Sequence, residues 1–220
     1  MKFLLAPVWP YGLNQGFGAN LPCSPEGATT PVVTGADNNT CPPGYSKLYP
    51  KLGLPKGHNG LDLKATRWQP VYAPCSGWVS EVSTEVERGL GIGIITDRKY
   101  WCEETKTESH FHIRLWHHIA LDTHKGEFVN VGDLVAYADS TGFSSGDHVH
   151  FEIKPVTITK WNQGVPIKWT NPLQSNGFYG AVDPLPYLRT DMSALRYAGI
   201  WRNLKELIAR LSTLLADKVR

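Results

Sequence analysis

Residues 139 to 153, Asp-Ser-Thr-Gly-Phe-Ser-Ser-Gly-Asp-His-Val-His-Phe-Glu-Ile, constrain the fold more than any other stretch. Ser140, Gly142, Ser144, Ser145 and Gly146 compose a turn. From His148 to Ile153 polar and apolar residues then alternate, the pattern of a strand with one buried face. Residues two apart on a strand share a face, so His148 and His150 converge on one side. Of two imidazoles on one face, one can hold a metal ion and the other can work beside it.

A second stretch, His58-Asn-Gly-Leu-Asp62, runs into Gly-Leu-Asp-Leu-Lys, which again alternates like a strand. Neutral imidazole and carboxylate are both zinc ligands, and three protein ligands that leave one position open describe a catalytic rather than a structural zinc. His58, Asp62 and His150 form such a set.

A third strand is read over residues 110–119. Phe111, Ile113, Leu115, His117 and Ile119 fall on its apolar side, while His110, His112, Arg114, Trp116 and His118 fall on the other. If the apolar side is the core, His118 faces the groove and His117 is a hydrogen-bonded core or loop histidine. The pair His110-x-His112 lacks a Gly/Ser turn and follows an acidic, lysine-containing tip at 103–108, so it is expected to be solvated.

These motifs resemble, in order, those of the lysostaphin and LytM group of zinc metallopeptidases. They are His-x-Gly-x-Asp, then Trp116-His117-His118-Ile119 as an aromatic-x-His-apolar strand, then Gly-x-x-Ser-Gly-x-His-x-His-Phe-Glu-Ile. Val129-Asn-Val-Gly-Asp-Leu-Val resembles the element that links the last two, and the similarity extends over roughly residues 14 to 190. The resemblance implies a mainly β domain of antiparallel sheets with a zinc groove across one sheet. It implies one zinc ion per chain on His58, Asp62 and His150, with His118 and His148 as the catalytic imidazoles. The implied activity is endopeptidase cleavage of bacterial peptidoglycan cross-links or stem peptides. The alternative of another class is a catalytically silent wall-binding or virion structural module that uses the same groove.

With 220 residues and 41% hydrophobic composition, the chain can build one sizeable core. Its 22 basic and 20 acidic residues nearly balance, so nucleic acid is not an expected partner. Pro7 and Pro10 interrupt the short apolar start, and neither a signal peptide nor a membrane span is read there. The expected place of action is the bacterial cell wall, with a phage-encoded enzyme, released from the host or carried on a virion, as the expected source.

The metallopeptidase domain is read over residues 1–190. Residues 20–57, rich in Pro, Gly, Asn, Thr and Ser, form a loop insertion within it. Cys23 and Cys41 lie in that loop, where a bridge between them would pin it, whereas Cys75 and Cys102 fall in strand-rich segments. Sequence alone does not choose among the pairings. Residues 191–220 change character to a C-terminal amphipathic helix. Tyr197, Ile200, Trp201, Leu204, Leu207, Ile208 and Leu211 recur at steps of three and four. Such a stripe buries itself on its own domain, in self-association, or against an anionic membrane surface.

Overall fold

The computed structural model describes residues 2–19, 57–85, 89–142 and 144–189. The loop read at 20–57, apart from Gly57, and the helix read at 191–220 lie outside the described residues, as do Cys23 and Cys41. The described strands are β1 (Leu4–Leu5), β2 (Leu13–Gln15), β3 (Leu61–Lys64), β4 (Pro70–Tyr72), β5 (Gly77–Glu85), β6 (Gly89–Thr96) and β7 (Tyr100–Cys102). They continue with β8 (Thr107–Leu121), β9 (Phe128–Val129), β10 (Leu134–Ala138), β11 (His148–Asn162), β12 (Val165–Thr170) and β13 (Leu188–Arg189). Among the described residues no helix is long and apolar enough to cross a membrane.

The fold is mainly β. Its large sheet runs in the order β2-β3-β11-β8-β6-β5-β9, with antiparallel pairing throughout. β10 adds to β8 and carries β4, while β7 pairs with β8 and β12 with β11. The short β1 and β13 form a separate parallel pair.

The alternation read in the sequence explains which face is buried. Leu61 and Leu63 on β3, Val149, Phe151 and Ile153 on β11, Phe111, Ile113 and Leu115 on β8, and Ile94 on β6 are all fully buried in one core. Full burial of such a side chain stabilises the fold by about 1.5–3 kcal/mol. Cys75 and Cys102 sit in this core as free thiols.

The opposite face of the same strands is a polar floor whose rows are set by register. His150 lies beside Asp62 on β3 and Trp116 on β8. In the next row, Glu152 is beside Arg114, Gly93 and Glu81; in the one after, Lys154 is beside His112. His110 and His112 therefore belong to the floor and not to a solvated tip, and His112 is buried.

Because Phe151 is central to the core, Phe151→Ala should lower the unfolding free energy by about 3–5 kcal/mol. The check is a comparison of urea unfolding midpoints, at unchanged slope, with the unsubstituted chain.

Candidate metal centre

The register of β3 against β11 brings the first two motifs together. His58 precedes β3, Asp62 stands within it, and His150 is the direct antiparallel partner of Asp62. His58 Nε2 lies 3.0 Å from His150 Nδ1 and 3.2 Å from Asp62 Oδ1, and His150 Nδ1 lies 3.0 Å from the same oxygen. A tetrahedral ion with bonds of about 2.0–2.1 Å needs donor-to-donor edges of roughly 3.3 Å. The three donors thus fit a zinc-sized ion, and they are the metal-capable cluster among the described residues.

Local structure explains why each donor points inward. His58 Nδ1–H donates to the Gly16 carbonyl at 3.1 Å, which leaves Nε2 for the centre. Gly60, between His58 and Asp62, passes so close to β11 that a Cβ there would meet the Phe151 carbonyl oxygen at 2.6 Å and the His150 ring at 2.8 Å. Only glycine allows this approach. Behind His150, the Glu152 carboxylate stands 3.8 Å from Nε2 and is itself held by the Asn59 amide at 2.8 Å. A carboxylate behind a ligating imidazole fixes the ring and raises its basicity.

The electrostatics suit a cation. Burial works to raise the Asp62 pKa, but hydrogen bonds from His150 and His58 outweigh it and hold the carboxyl well below the ordinary carboxylate range. Burial alone would depress the His150 pKa, yet the Asp62 and Glu152 carboxylates bring it up to about 9.

Two further imidazoles border this centre, and one is not the expected one. His148 Nε2 lies 3.6 Å from Asp62 Oδ1, and its Nδ1–H donates to the Gly146 carbonyl at 2.7 Å. His117 has its ring centroid 4.5 Å from that of His148 and 6.3 Å from that of His150. Its Nδ1–H donates to the Thr141 carbonyl at 2.7 Å. His118, expected at this position, is instead fully buried with neither ring nitrogen hydrogen-bonded.

The reason for the exchange is a break in the strand period. Leu115 pairs with Ile92 and His118 with Leu90, so β8 carries one residue more than β6 over this interval. Such a bulge shifts the alternation by one position. The residue that takes up the kink is His117, whose φ of 73° lies in the left-handed region that a non-glycine residue rarely occupies. From there His117 turns to the floor and His118 to the interior. The sequence held a clue, since two adjacent histidines in an otherwise alternating run cannot both keep its period.

Burial, with the charges of His148 and His150, lowers the His117 pKa to about 3 against the pull of the Thr141 carbonyl. Burial and the neighbouring His117 lower that of His118 to about 3 as well. Both rings are neutral at physiological pH.

The chain is similar to known proteins. Residues 56–167 match the model of peptidase family M23. An uncharacterised metalloprotease of Haemophilus influenzae is 25% identical over 120 residues, which cover 51% of this chain and 23% of that protein. The chain therefore spans about a quarter of that relative's length. Among solved structures, the catalytic domain of the antimicrobial peptidase lysostaphin from Staphylococcus simulans aligns with a TM-score of 0.48 and 19% identity, covering 80% of this chain and 91% of that one. A zinc-containing peptidase from Vibrio cholerae aligns with a TM-score of 0.46 and 24% identity, over 74% and 40% of the two chains.

The raised His150 pKa sets a pH dependence of metal binding. Below it a divalent ion must displace the ring proton, so affinity should fall about tenfold per pH unit as the pH drops from about 8 to 6. Competition with a chromophoric chelator measures this. Asp62→Asn, which removes the carboxylate charge, should weaken zinc binding at every pH.

Proposed function

The chain belongs to peptidase family M23, and we propose that it is a zinc-dependent endopeptidase that hydrolyses peptide bonds in bacterial peptidoglycan cross-links or stem peptides. His58, Asp62 and His150 would hold one zinc ion, and His117 and His148 are the catalytic imidazoles of this reading. The observation that carries this reading is the convergence of three donors on one point with two more imidazoles beside them. When bound there, zinc supplies Lewis acidity that polarises a carbonyl and acidifies water.

The chain's own groups do the rest. Both His117 and His148 use Nδ1–H on a backbone carbonyl, which fixes the tautomer and leaves Nε2 unprotonated, and Nε2 of His148 stands 3.6 Å from Asp62 Oδ1. His117 is neutral, its pKa lowered to about 3 by burial, so its Nε2 is unprotonated and can accept a hydrogen bond from water or substrate. With Nδ1–H of each ring held by a backbone carbonyl, Nε2 can only accept, so the ring that receives the proton of the attacking water is the one that can then return that proton to the leaving amine, while the other ring orients by accepting a hydrogen bond. Asn59 and Glu152 act behind His150 and touch no reacting atom; they are positioning residues.

His117→Ala and His148→Ala should each lower kcat by about 10²–10⁴ while zinc content stays at one per chain. His118→Leu should keep kcat within the same order. Digestion of purified sacculi from several bacterial types, with new amine ends read by mass spectrometry, measures this and names the bond. A chelator should abolish release and added zinc restore it. Full zinc occupancy without release from any wall would assign the chain to wall binding instead.

A further inference from the structure

Beyond the metal centre the floor continues into a cleft of about 330 Å³, lined by Glu81, His112, Arg114, Lys154 and Trp169 among others, whose charges pair with one another or with Glu152. In the turn that leads into β11, residues 139–147, two backbone carbonyls are bonded instead to the two catalytic imidazoles. The Thr141 carbonyl accepts Nδ1–H of His117 at 2.7 Å, and the Gly146 carbonyl accepts that of His148 at 2.7 Å. A hydroxyl fastens each of these two residues. Ser144 Oγ–H donates to the Gly146 carbonyl at 2.8 Å. Thr141 Oγ1–H donates to the His118 carbonyl on β8 at 2.8 Å, and the same oxygen accepts the Leu90 N–H of β6 at 3.1 Å. We infer that Thr141 is a positioning residue for the hydrolytic reaction: its hydroxyl fixes the place of the carbonyl that orients the His117 ring. The inference rests on the hydrolytic reading above.

The bulge in β8 is what makes such a hold necessary. The pairing of β8 shifts against both of its neighbours here, between Leu90 and Ile92 on β6 and between Tyr137 and Ala138 on β10. A regular ladder dictates which way each side chain points, and a bulged residue loses that direction. His117, at φ 73°, is that residue, so its ring must be aimed from outside the strand. The turn does this with three bonds: Asp139 N–H donates to the His117 carbonyl at 2.8 Å, the Thr141 hydroxyl takes the next carbonyl, and the Thr141 carbonyl takes the ring.

Gly89 makes the approach possible. Its φ is 76°, and a Cβ there would run into the Thr141 carbonyl and lie 2.6 Å from the Thr141 hydroxyl. Only a residue without a side chain lets the hydroxyl close on the Leu90 N–H. A neutral imidazole has two tautomers, and an acceptor at Nδ1 selects the one whose Nε2 is bare. Without the hydroxyl the carbonyl is free to shift, and that selection weakens.

The test uses the zinc-loaded full chain with Thr141→Val, which keeps the branched shape and removes the hydroxyl, and Thr141→Ser, which keeps the hydroxyl. With sacculi as substrate, Thr141→Val should lower kcat about tenfold, the effect of one hydrogen bond lost, at unchanged KM and zinc content. Thr141→Ser should stay within about twofold of the unsubstituted chain, since the bond is kept. In a His117→Ala background Thr141→Val should have no further effect, because residues that act as a unit are not additive. A second readout needs no turnover: long-range proton–nitrogen correlation spectra of the histidine-labelled chain give the tautomer of each ring. His117 should carry its proton on Nδ1, and Thr141→Val should shift it toward Nε2 while His148, held from Gly146, is unchanged. A His117 proton on Nε2 in the unsubstituted chain, an equal change at both rings, an equal loss in Thr141→Ser, or a loss that persists in the His117→Ala background overturns the inference. If Thr141→Val does not fold, the tautomer of the unsubstituted chain and the rate of Thr141→Ser decide. Failure of the unsubstituted chain to cut any sacculus counts against the hydrolytic reading alone, and the spectra still decide on Thr141.

Discussion

The antiparallel pairing of β3 with β11 is the constraint on which the rest of the site depends. It sets Asp62 directly opposite His150 and buries Leu61, Leu63, Val149 and Phe151 on the reverse face. A slip of one residue would turn the donors into the core and the apolar side chains to the floor. Hydrophobic burial thus enforces the register that aligns the polar donors, and the energy that folds the sheet also assembles the centre.

The floor shows how a sheet carries charge on a face that is largely closed to water. Glu152 is almost wholly buried, which would raise its pKa, but Lys154, His150 and Arg114 outweigh burial and keep it well below the ordinary range. The Asn59 amide completes its partners. A buried charge removed from such a set leaves its partner uncompensated, which is costly. The row Glu81, Gly93, Arg114, Glu152 is therefore tied to the row of His150 through one carboxylate, so the site and the cleft next to it share an electrostatic frame.

Much of this was legible in the sequence. Period-two alternation identified β3, β8 and β11, and the spacing within His-x-Gly-x-Asp and His-x-His identified the three donors that the structure brings together. The exchange of His118 for His117 was not legible from alternation, because alternation assumes an unbroken strand and the bulge in β8 violates that assumption at the residue that matters. The same limit applied to His112: a hydrophilic neighbourhood in sequence gave no sign that Lys154 on β11 and Trp169 on β12 come up beside it. Trp169 stands in the wall of the cleft.

The two sides of the groove are built differently. The floor lies on β8 and β11, each 15 residues long, whereas Asn171 and Gln174 reach the cleft from irregular chain between β12 and β13. That segment is pinned by its own asparagines, Asn171 to Gly180 and Asn176 to Ala181, more than by the sheet. Substitutions in that coil can therefore reshape one wall of the cleft without touching a strand of the floor.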